Sequence, residues 1–83
     1  MAAVTPDTFT PAMCKAARAF LDISAERLAG LASVGVATVW RFESGDTVRT
    51  SSRAAMLDAL QGEGVAFSNG DKPGVQLVGK GKA

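Results

Sequence analysis

Ser24-Ala25-Glu26-Arg27-Leu28-Ala29-Gly30-Leu31-Ala32-Ser33-Val34-Gly35-Val36-Ala37-Thr38-Val39-Trp40-Arg41-Phe42-Glu43-Ser44-Gly45 is the stretch whose reading decides the fold. Ser24 can cap the free N–H groups of a helix that runs on through Ala32. Ile23, just before the cap, and Leu28, at the fourth helical position, have the spacing of a hydrophobic staple, which sets the angle at which the chain enters. Ser33-Val34-Gly35 interrupts the pattern. A second short helix is predicted from Val36 to about Ser44, stopped at Gly45-Asp46, where glycine can take the left-handed conformation. Val39 and Phe42 are three apart and share a face. With Leu28, Ala29 and Val34 they are expected to form a core common to both helices.

Upstream, Thr10-Pro11 is a strong helix start, because threonine caps and proline loses nothing at the first helical position. Cys14, Ala16, Ala17, Phe20 and Leu21 continue that helix at helical spacing to about Leu21. Downstream, Thr50-Ser51-Ser52 offers caps for a further helix over Ser52 to Gln61, with Ala55, Met56, Ala59 and Leu60 on one face. Val65-Ala66-Phe67 and Gly74-Val75-Gln76-Leu77 alternate as short strands, and Asn69-Gly70-Asp71-Lys72-Pro73 between them suits a turn, so a β-hairpin over 65–77 is expected. The predicted class is mainly α, four helices with this short hairpin. One domain spans 10–77, between a flexible N-terminus (1–9) and a flexible tail (78–83) that carries Lys80 and Lys82.

With 83 residues the chain holds one domain, and nearly every apolar helix position is needed for its core. Enzyme chemistry is poorly supplied: the sequence has no His and no Tyr, and a single cysteine, Cys14. One cysteine forms no internal disulfide and no zinc site, so a reducing compartment is the natural reading. Cys14, Met13 and Met56 read as core filler. Gly62-Glu63-Gly64 follows a helix and lacks the third glycine of a dinucleotide fingerprint. The first residues show neither a basic segment nor an apolar run, and no stretch approaches the ~20 apolar residues of a membrane span. The expectation is a non-catalytic cytoplasmic protein with no cofactor, no metal, no membrane contact and no evident small-molecule ligand.

Arg18 after Ala17, Ser24 with Leu28-Ala29, and Val34 followed by Ala37-Thr38-Val39 and Phe42-Glu43-x-Gly45 resemble the lambda-repressor-like (Xre/Cro) helix-turn-helix family. Gly64-Val65-x-Phe67 with Pro73-Gly74-Val75-x-Leu77 resembles the C-terminal hairpin of a bacterial subgroup. The likeness covers Thr10 to Leu77. It implies a four-helix domain in transcription regulation, with the third helix as the recognition element, and a structural ion pair between Arg18 and Glu43. Relatives often place glycine where this chain has Ser33.

A recognition helix reads base edges with hydrogen-bonding side chains. Here the corresponding positions are Gly35, Val36, Ala37 and Trp40, and position 25 after the helix cap, often glutamine in the family, is Ala25. From Ser24 to Gly45 the charges are Glu26, Arg27, Arg41 and Glu43, which cancel, and the whole chain is only +1. Since DNA affinity rests heavily on neutralising phosphates, such a helix is badly equipped for it. Val36 and Trp40, four apart, are expected to form an exposed apolar patch, with Val36, Ala37, Trp40 and Arg41 binding another protein. Small quorum-sensing antiactivators of rhizobia are similar, and that likeness implies LuxR-type or related transcriptional activators of conjugative transfer as partners. Alternatives stay open, an antitoxin-like module that neutralises a toxin enzyme among them. Trp40 can fold onto the body of the domain; or the protein is a DNA-binding repressor in which Thr38, Arg41, Arg49 and Arg53 contact the duplex.

Overall fold

Thr10, in extended conformation, accepts a hydrogen bond from the Met13 N–H at 3.1 Å and starts α1 (Pro11–Leu21) with proline in its first turn. Ser24 does the same for α2 (Ala25–Ala32), accepting from the Arg27 N–H at 3.0 Å. Neither α3 (Val36–Glu43) nor α4 (Thr50–Gly62) has a side-chain cap, since Gly35 and Arg49 precede them. The computed structural model describes residues 4–68 and 74–77, and in these the protein is a mainly α, compact four-helix globule with two short strands. α4 begins two residues earlier than the serine caps suggest, at Thr50, because the Arg53 N–H bonds back to the Arg49 carbonyl at 3.1 Å.

Three helices end in one way. Ile23 N–H returns to the Arg18 carbonyl, Val34 N–H to Ala29 and Asp46 N–H to Arg41, at 3.1, 3.0 and 2.9 Å. Each return requires a left-handed residue just before it: Asp22 (φ 56°), Ser33 (φ 57°) and Gly45 (φ 94°). Glycine adopts that conformation without strain and aspartate tolerates it, whereas serine is the least suited of the three.

The inward helix faces meet in one core, with Met13, Cys14 and Ala17 from α1, Leu28 and Ala29 from α2, Val39 and Phe42 from α3, and Met56, Leu57 and Leu60 from α4. Leu57 joins Met56 and Leu60 there, while Ala55 lies half-buried, so the buried stripe of α4 is rotated from the one expected. Phe20, expected among the apolar positions of α1, is instead 52% exposed. It falls beyond the edge of the stripe set by Met13, Cys14 and Ala17.

Residues 4–9, expected to lead flexibly into the domain, are part of it. A turn in which the Thr8 and Phe9 N–H groups both bond the Thr5 carbonyl, at 3.0 and 2.9 Å, carries Val4 and Phe9 into the core. Phe9 is fully buried, stacked on Phe42 at 5.2 Å between centroids and edge-on to Phe67 at 5.4 Å. The apolar area of a phenylalanine ring explains why this segment is drawn in. β1 (Val65–Ser68) and β2 (Gly74–Leu77) pair antiparallel, Val65 opposite Leu77 and Ser68 opposite Gly74. The connection 69–73 and the tail 78–83, and with them the expected turn and the two tail lysines, lie outside the described residues.

Ser33 yields a direct prediction. Ser33→Gly removes the left-handed penalty and raises stability by about 1 kcal/mol in denaturant unfolding, with the m-value unchanged.

Candidate interaction site on the third helix

α3 is eight residues long and shows two faces. Val39 and Phe42 point into the core, which turns Ala37, Trp40, Arg41 and Ser44 to solvent. Trp40 is 52% exposed, so the indole does not fill the interior. Val36 departs from expectation: it is half-buried and packs against the core, because it lies on the border between the two faces. The outward surface is therefore Ala37, Trp40 and Arg41, completed by Ser44 seven residues after Ala37. That spacing was available in the sequence as a two-turn repeat.

The orientation of this face is fixed from behind by Arg18 and Glu43. The Arg18 guanidinium donates from Nη2 to Glu43 Oε1 at 2.7 Å and from Nε to Oε2 at 2.8 Å, a bidentate pair. Its Nη1 donates to the Ile23 carbonyl at 3.2 Å, which ties the α1–α2 joint to the end of α3. The Cys14 thiol also donates to Glu43 Oε2, at 3.1 Å. Burial works to raise the Glu43 carboxyl, but the bonds from Arg18 and Cys14 outweigh it and hold its pKa below the ordinary value. For Cys14 burial acts first and Glu43 second, both pushing the thiol far up, so it stays protonated.

The cationic residues divide. Thr38, Arg41 and Arg49 line an open cleft of about 590 Å3 with Thr47, Val48 and Ser52, at the uncapped start of α4. Arg53 is elsewhere and otherwise employed. It donates from Nη2 to the carbonyls of Phe9 at 2.9 Å and Asp7 at 3.4 Å, and its guanidinium stands 5.5 Å from the centroid of the Phe42 ring. Arg53 thus clamps the N-terminal segment, apart from the cleft that Thr38, Arg41 and Arg49 line. The signal missed in the sequence was Phe9, whose burial brings two carbonyls within reach. Among the described residues no group of three or more His, Cys, Asp or Glu is placed to hold a metal ion. No described helix is long and apolar enough to cross a membrane.

Comparison with protein-family models finds no match to this chain, and comparison with curated proteins finds none either.

The ion pair gives two predictions. Glu43→Gln costs about 1–2 kcal/mol at neutral pH, a charge-assisted bidentate pair being worth more than an exposed one. Because the folded pKa of Glu43 is lowered, the pair's contribution is fully present above the unfolded carboxylate range, near about pH 4.3, and fades as pH falls through the folded value. Urea titrations of both proteins from neutral to acid pH should show the difference shrinking. The Cys14 thiol should resist an aromatic disulfide reagent at pH 8 in the native protein and react fully in denaturant.

Proposed function

We propose that this chain is a lambda-repressor-like helix-turn-helix domain of the Xre/Cro type that acts as an antiactivator, binding a transcriptional activator rather than a base sequence. Support for the fold comes from α2, the three-residue break Ser33–Gly35 and α3, and from the Arg18–Glu43 pair in the position that the family resemblance implies. In that reading β1 and β2 are the two strands of the subgroup's C-terminal hairpin.

The observation that carries the function is the half-exposed indole of Trp40, next to Ala37, on the face where a DNA reader would present hydrogen-bonding groups. A large aromatic half exposed to water, with an alanine and an arginine beside it, has the make-up of a protein-interface anchor. Inhibition would follow by occlusion, α3 covering surface that the activator needs for DNA, dimerisation or polymerase. In size and in its apolar third helix the chain resembles the rhizobial quorum-sensing antiactivator QseM, which points to LuxR-type or related activators of conjugative transfer.

One observation favours the second reading, a DNA-binding repressor. The cleft lined by Arg41, Arg49, Thr38 and Ser52 sits at bare helix N–H groups and could hold a phosphate. Mobility-shift titrations against the promoter DNA next to the protein's own gene, at two salt concentrations, separate the readings. Tight, sequence-selective binding with a steep salt slope rules out the antiactivator in favour of the repressor. On the antiactivator reading, Trp40→Ala leaves the domain folded, lowering its unfolding free energy by about 1–2 kcal/mol because the indole is only half in solvent, and abolishes inhibition of the activator in a reporter assay.

A further inference from the structure

Among the described residues Trp40 has one counterpart, Phe20, the other large apolar side chain left 52% exposed, and it lies on a different helix. The outer face of α1 consists of Ala12, Lys15, Ala16, Ala19 and Phe20, all exposed. Its only charge is Lys15, and the left-handed residue that ends the helix, Asp22, supplies an exposed carboxylate. Neither side chain is engaged in any ion pair among the described residues. The face is therefore apolar with one charge of each sign, a poor complement to nucleic acid or to a strongly charged surface.

It is, however, complementary to itself. Lys15 and Asp22 are seven residues apart and fall on one edge of the face, whereas Ala16 and Phe20 are four apart and fall on the opposite edge. In two antiparallel helices related by a twofold axis, like edges lie side by side. An axis passing beside position 18 sets each Phe20 against the small Ala16 of the other copy. The same axis, within one residue of register, sets each Lys15 against the other copy's Asp22. Alanines at 12, 16 and 19 let the two backbones approach, so the ring of Phe20 has somewhere to go.

We infer that this face of α1 is a self-association surface, on which a second copy of the chain packs as an antiparallel pair with Phe20 over Ala16 and Lys15 against Asp22. A pair of eleven-residue helices covers much less than a standard interface. The dimer is accordingly weak, with a Kd of roughly 0.1–1 mM, and it leaves α3 uncovered.

Sedimentation equilibrium of the full chain over about 0.02–2 mM, at low salt, tests this. The wild type should pass from monomer to dimer across that range. Phe20→Ala should weaken association at least tenfold while leaving the circular dichroism and thermal midpoint unchanged. Lys15→Glu should weaken it as well, and so should Asp22→Asn, which removes the carboxylate yet suits the left-handed position. A wild type that stays monomeric throughout overturns the inference. So does a dimer indifferent to Phe20→Ala, or one indifferent to both charge substitutions. Inhibition of an activator is read by a separate assay, so failure here leaves the role of Trp40 standing.

Discussion

The ring of Phe9 lies wholly buried between Phe42 of α3 and Phe67 of β1, and the remaining architecture is arranged around that contact. An aromatic ring in such a position brings together the start of the chain, the middle helix and the end of the described core. Arg53 completes it from outside, covering Phe42 with its guanidinium and holding the carbonyls of residues 7 and 9. Those carbonyls belong to a segment without helix or strand, so hydrogen bonds from a side chain replace the ones that regular structure would have supplied.

Because Phe42 is fixed from within and Glu43 is gripped by Arg18, α3 has little rotational freedom. Its orientation is over-determined by a stacked ring on one side and a bidentate ion pair on the other. The outward direction of Trp40 then follows from helix geometry alone, one hundred degrees per residue away from the buried pair. A solvent-facing indole is thus a consequence of how the core is satisfied, and it persists in the isolated domain without a partner to hold it.

Much of this was legible in the residues. The caps at Thr10 and Ser24, the break at Ser33–Gly35 and the apolar row of Val39 and Phe42 are local signals, and each acts within a few residues of itself. What the sequence left hidden was long-range. Nothing near Phe9 announces that its ring will meet Phe42 and Phe67, and without that contact residues 4–9 read as a loose lead. The two carbonyls that Arg53 holds belong to that same segment. Val36 is half-buried because a border position on a short helix is decided by the neighbouring helix, not by its own periodicity. On α4, three possible caps hid an earlier start, and tertiary packing chose Leu57 for the interior over Ala55.

The joining of Phe9 to Phe67 also bears on how the molecule folds. The two rings stand far apart along the chain, so their contact closes a long loop and is reached only after the entropy of that loop has been lost. Contacts of such separation slow folding, whereas α2 and α3, neighbours in sequence, can meet quickly.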